Sequence, residues 1–91
     1  MTVQPDRHLD GNAAAGPLSE LFAVDVTAAA GRCGGCGNTS RFADTHVYMD
    51  SPGLVARCRV CETVLMRLVS DGRRTWLDVR GLTYLQFTTG T

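Results

Sequence analysis

The sequence predicts a small, mainly β protein: an antiparallel sheet built from two hairpins, stapled by a metal ion and preceded by a short N-terminal helical segment. Three observations carry that prediction. Cys33-Gly34-Gly35-Cys36 and Cys58-Arg59-Val60-Cys61 are two C-x2-C pairs separated by 21 residues, and they hold every cysteine of the chain. From Thr45 onward, apolar and β-branched runs are divided by turn signals at Asp50-Ser51-Pro52-Gly53 and Asp71-Gly72. Finally, the chain has 91 residues, 44% of them hydrophobic and 20% charged. That is globular composition at a length where a core alone gives little stability, so a staple is expected.

Residues 1–8 are polar and read as a flexible tail, without the apolar stretch of a secretory signal. Residues 9–30 read as a helical segment followed by a lead-in strand. Asp10 or Asn12 caps a turn through Ala13, Ala14 and Ala15, because its side-chain oxygen accepts orphan backbone N–H groups. Gly16 ends that turn and Pro17 starts another, which sets Leu18, Leu21 and Phe22 on one face. Phe22 to Thr27 also alternates as a strand would, so two readings meet at Phe22.

The metal-bearing part spans residues 31–91. After Cys36, Gly37 permits the left-handed backbone that turns N–H groups towards a thiolate. Asn38 to Ser40 reads as loop. Thr45–Met49 and Leu54–Cys58 then form a hairpin in which Val47 faces Ala56 and Tyr48 faces Val55. Val64–Ser70 and Arg73–Arg80 form a second hairpin about Asp71-Gly72, a strong two-residue loop signal. In that register Val64–Val79, Met66–Leu77 and Leu68–Thr75 share the core face. Leu65–Asp78, Arg67–Trp76 and Val69–Arg74 share the other. Leu82–Phe87 offers one more strand.

Two cysteines three apart aim both sulfurs at one point, and a second pair alongside completes a tetrahedral cage of four thiolates. Zinc prefers that geometry and a single iron also uses it. Cys33, Cys36, Cys58 and Cys61 are therefore the candidate ligands for one Zn2+ per chain. An iron site of rubredoxin type is an alternative, with only Phe42 and Tyr48 as aromatic neighbours. A redox dithiol is another, but it needs a helix N-terminus that the glycines here do not supply. His8 and His46 stand alone, the carboxylates are scattered, and no nucleophile–base arrangement or phosphate loop is present, so catalysis is not expected.

A cysteine turn followed by a hairpin, twice, resembles a zinc ribbon over residues 31 to 80. The resemblance implies an antiparallel sheet with the four cysteines as ligands, and residues 31–91 as a zinc-ribbon-like domain. Glu62 departs from it, standing where the first pair has Gly37. The stretch Leu9-Asp10-Gly11-Asn12-Ala13-Ala14-Ala15-Gly16-Pro17-Leu18, with Arg74-Thr75-Trp76-Leu77-Asp78, also resembles an uncharacterised family of small bacterial zinc-ribbon proteins. That likeness implies no activity.

All nine basic residues are arginine. Residues 1–31 set Arg7 against Asp6, Asp10, Glu20 and Asp25, a net of −3; the remainder sets eight arginines against five carboxylates, a net of +3. Four thiolates with one Zn2+ would bring the second part near +1, so bulk charge does not call for nucleic acid. The expected contact surface is local: Arg67, Arg74, Trp76 and Arg80 on the outer face of the second hairpin. Arg67 over Trp76 is an ordinary cross-strand cation–π pair or an anchor for a partner. The partner is expected to be protein, with nucleic acid as the lesser alternative. No apolar run reaches the ~20 residues of a membrane helix, so the cytoplasm is the expected compartment.

Overall fold

The computed structural model of the chain describes residues 9–19, 25–50 and 53–87. Val47, Leu54, Ala56, Met66 and Leu68 alternate along three neighbouring strands and are buried together. This is the period-two pattern of a sheet with one dry face. The strands are β1 (Leu9–Asp10), β2 (Ala30–Cys33), β3 (Thr39–Arg41), β4 (His46–Asp50), β5 (Gly53–Arg57), β6 (Val64–Ser70), β7 (Thr75–Asp78) and β8 (Leu82–Gln86). They form two antiparallel sheets, ordered β1-β4-β5-β6-β7 and β3-β2-β8.

The dry face of the larger sheet is covered by the N-terminal segment. Asp10 accepts the Asn12 N–H at 3.0 Å and caps a 3-10 turn over Gly11–Ala14, which passes into the helix α1 (Ala15–Ser19). The helix runs through Gly16 and Pro17 instead of breaking between them. Its Leu18 is buried with Ala14, Val26 and Phe42 against the sheet, and Leu85 and Phe87 pack on the same core. Gly11 is required here, because a Cβ would stand 1.8 Å from the Phe42 carbonyl oxygen. Asp25 caps a second 3-10 turn, Val26–Ala28, accepting from the Thr27 N–H and hydroxyl at 3.0 and 2.6 Å. The lead-in strand is thus replaced by a turn at Val26 and Thr27, because this carboxylate draws the local N–H groups to itself. Leu21 and Phe22 lie outside the described residues, as do residues 1–8.

The first hairpin has the expected register, Val47 against Ala56 and Tyr48 against Val55. The second differs. β6 pairs with β7 as Arg67–Asp78, Leu68–Leu77, Val69–Trp76 and Ser70–Thr75, so Arg67 does not oppose Trp76. The cause is the loop. Asp71 N–H donates to the Arg74 carbonyl at 3.1 Å, and the Asp71 carboxylate accepts the Arg73 and Arg74 N–H groups at 2.9 and 2.7 Å. The two loop residues are therefore Gly72 and Arg73, with Gly72 at φ 91°, the glycine-first arrangement of a tight hairpin. Moving the loop by one residue slides each pairing by two. Side chains alternate with period two, so Arg67, Trp76 and Asp78 still share the outer face. The expected core face holds for Met66 and Leu68 only: Thr75, Leu77 and Val79 are exposed because β7 is the edge strand among the described residues, and Leu65, expected outside, is buried beside Cys33 and Cys58.

The smaller sheet was not foreseen. Thr39–Arg41 is strand, not loop, and pairs with β2, while β8 returns to the other side of β2. Both cysteine pairs consequently sit at hairpin ends: one between β2 and β3, the other between β5 and β6.

Candidate metal centre

Each cysteine pair closes its hairpin with the same hydrogen bonds. Cys33 N–H donates to the Asn38 carbonyl and Cys58 N–H to the Thr63 carbonyl, both at 2.9 Å; Gly37 N–H returns to the Cys33 carbonyl and Glu62 N–H to the Cys58 carbonyl, again at 2.9 Å. The first sulfur of each pair accepts a backbone N–H, Gly35 to Cys33 at 3.3 Å and Val60 to Cys58 at 3.4 Å. Such bonds stabilise a thiolate. Gly37 and Glu62 both take positive φ, 80° and 64°. The two knuckles are thus one conformation used twice, although the second lacks the glycine.

The knuckles face each other closely. A Cβ on Gly35 would lie 2.5 Å from the Thr63 hydroxyl, so the glycine makes room for the opposite knuckle. Gly34 N–H donates to the Gly81 carbonyl at 2.8 Å, which ties the first knuckle to the entrance of β8. Cys33 and Cys58 are buried with Leu65, and Leu82 packs against them, whereas Cys36 and Cys61 are exposed.

All four sulfurs lie within 4.8 Å of one another. Cys33 and Cys61 are separated by 3.6 Å, and Cys36 and Cys58 by 3.7 Å. A disulfide would need about 2.05 Å. An ion at the centre of a thiolate tetrahedron, with metal–sulfur bonds of about 2.3 Å, holds its sulfurs about 3.8 Å apart. The donor set, the spacing and the N–H···S bonds all fit a metal ion. The thiols already differ. The Thr63 hydroxyl, 3.0 Å from the Cys61 sulfur, leads in pulling that thiol down to about 6, with the Thr63 N–H adding to it. At Cys36 the Asn38 N–H also pulls down, but partial desolvation and the three neighbouring sulfurs outweigh it and hold the thiol at about 11.

Beside the second knuckle lies a polar cluster that the sequence reading left as scattered residues. Glu62 contacts His46 Nδ1 at 2.7 Å, accepts from the Tyr48 hydroxyl at 3.2 Å, and its carbonyl accepts from Arg57 at 2.9 Å. Burial would raise the Glu62 carboxyl, but the bonds from His46 and Tyr48 and the nearby Arg57 charge hold it below its usual value. Arg57 also lies 5.9 Å from the centre of the Tyr48 ring. The cation–π contact is therefore here and not between Arg67 and Trp76. A glutamate where the other knuckle has glycine was the one signal pointing to this cluster.

The outer face of the second hairpin is open. Trp76 is 51% exposed, and Arg67, Arg74 and Arg80 are exposed as well. Arg67 stands opposite Asp78, which also binds Arg80 at 2.9 Å. Arg74 belongs to the residues closing the loop. Among the described residues, no helix is long and apolar enough to cross a membrane.

Over residues 5–90 the sequence matches a protein family described as a family of unknown function, DUF6510. No curated protein and no solved structure matches it.

Proposed function

We propose, from the premise that this chain belongs to the DUF6510 family of unknown function, that it is a non-catalytic zinc-binding interaction module of zinc-ribbon type, working in the cytoplasm. The observation that carries this reading is the repeated knuckle: two identical hydrogen-bonded turns aim four sulfurs at one point. Four thiolates complete the coordination of Zn2+, leaving no position for a reactive water, which is the character of a structural site. Zinc is favoured over iron because Phe42 belongs to the larger core and not to the cluster around the cysteines, which leaves of the two candidate aromatics only Tyr48, hydrogen-bonded to Glu62 beside the second knuckle.

The contact surface in this reading is the face of Arg67, Arg74, Trp76 and Arg80. A half-exposed tryptophan among arginines is the composition of a protein hot spot. Asp78 favours protein over nucleic acid. It takes up Arg80 and faces Arg67, which places a carboxylate where a phosphate path would run.

Elemental analysis of protein purified without chelator tests the metal, with about one zinc per chain and no visible absorption expected. Iron with colour, or no metal at all, overturns it. Trp76→Ala tests the face: zinc content and the unfolding midpoint should stay as in the wild type while binding is lost. Unfolding of that variant would make Trp76 a packing residue and remove the contact surface.

A further inference from the structure

The β7 strand closes one side of the larger sheet, and its outer edge has no strand beside it among the described residues. Asp71 and Arg74 form a bonded pair at the loop. Antiparallel ladders alternate bonded and non-bonded pairs, so Trp76 and Asp78 turn their backbone groups towards β6. Thr75 and Leu77 turn theirs outward. Apolar surface accompanies this edge: Trp76 is 51%, Leu77 36% and Val79 42% exposed. Such an edge is a ready site for another strand.

We propose that the occupant is a second copy of this chain, docked antiparallel along β7 with Trp76 on the two-fold axis. The proposal rests on the protein-contact reading of this face and names its partner. In that register Thr75 lies opposite Leu77 of the second copy, and every outward N–H and C=O of both residues finds a partner. Trp76 meets Trp76 as a non-bonded cross-strand pair, the closer of the two pair types. Arg74, whose guanidinium makes no bond or ion pair among the described residues, comes opposite Asp78, and the symmetry repeats this contact.

Neighbouring registers are poorer. An axis through Thr75 sets Leu77 against Arg73 in the loop. An axis through Leu77 sets Arg74 against Arg80, two like charges, and brings Thr75 to Val79, whose carbonyl already accepts the Leu82 N–H at 3.0 Å. An isologous contact needs a patch complementary to itself, and Arg74-Thr75-Trp76-Leu77-Asp78 is such a patch. The formal net charge is zero and about −2 once four thiolates hold one Zn2+, so long-range repulsion between copies is small. Asp78 is already shared by Arg67 and Arg80, and the strand is short. The interface thus falls below the 1,200–2,000 Å² typical of stable complexes, roughly, and the dimer is reversible.

Sedimentation equilibrium of the metal-loaded full chain, from roughly 1 to 300 µM, tests this. The wild type should pass from monomer to dimer across the range. Arg74→Asp and Asp78→Arg should each weaken association at least tenfold, since each places like charges together twice. Their equimolar mixture should recover a heterodimer, because both contacts become complementary again. Asp78→Arg also removes the local bond to Arg80, so a second pair guards against misfolding: Trp76→Asp and Trp76→Arg, each monomeric alone and dimeric when mixed. A wild type that stays monomeric, or mixtures no tighter than their components, overturns the pairing. Monomer with zinc retained, and with Trp76 needed for a different protein such as an acidic extended peptide, removes the second copy but leaves the contact face. Loss of zinc from the wild type instead overturns the reading beneath.

Discussion

Glu62 follows the second cysteine of its pair at φ 64°, where Gly37 stands at φ 80° in the other knuckle. An L-residue in this region costs roughly 1–2 kcal/mol. The side chain offsets part of that through His46 and Tyr48, but it is about half exposed and such pairs contribute about 0–1 kcal/mol. The two effects nearly cancel. Glu62→Gly should therefore leave the urea midpoint of the metal-loaded protein within about 1 kcal/mol of wild type. Glu62→Val, which keeps the strain, adds a β-branch and loses the bonds, should destabilise by more than ~1.5 kcal/mol. Equal midpoints for the two variants would show that the backbone at this position is unstrained. The clustering of the four cysteines was legible from spacing alone. The role of Glu62 was not, because its compensating partners come from β4 and not from its own turn.

At the scale of elements, the Gly72-Arg73 loop shows where local signals stop. A Cβ on Gly72 would meet nothing within 4 Å, so Gly72→Val tests backbone conformation alone and should cost more than ~1 kcal/mol. Asp71→Ala should also lower the thermal midpoint, because two N–H groups lose their acceptor to solvent; thermal melts measure both. The bonds from the Arg74 and Arg73 N–H groups hold the Asp71 carboxyl below its ordinary value. Their contribution is complete above the ordinary aspartate pKa and is lost as the pH falls from there through the lowered one. The first hairpin was readable to the residue, since Val47 and Ala56 had to share a dry face. The second was displaced by a side-chain hydrogen bond that no hydrophobic pattern records. The pairing of β8 with β2 was invisible for another reason: nothing local links Leu82–Gln86 to Ala30–Cys33.

For the molecule as a whole, the cysteine cage is where the two sheets meet, one knuckle from each. The core beside it consists of Cys33, Cys58 and Leu65 with Leu82, and Leu85 of β8 packs the smaller sheet on the larger core; both contacts are small beside what a metal would add. Structural zinc contributes about 10–16 kcal/mol in small domains, as much as the whole stability of a typical one, about 5–15 kcal/mol. Chelation, or Cys58→Ser, should thus collapse the amide dispersion in NMR spectra for β2, β3 and β8. Dispersion that survives complete metal removal would make the cage an accessory to a self-sufficient fold. Four cysteines, two glycine-bearing turns and an alternating β pattern gave the class of this fold in advance. The assembly of two sheets around the cage required the three-dimensional arrangement. That arrangement leaves Cys33 and Cys58 inside and Cys36 and Cys61 in solvent. With an ion in the cage, a competing thiolate would meet the outer sulfurs first and could displace them one at a time, while the inner two kept hold from behind. An ion bound there would combine tight holding with ready exchange, its affinity and its residence time set by opposite halves of one cage.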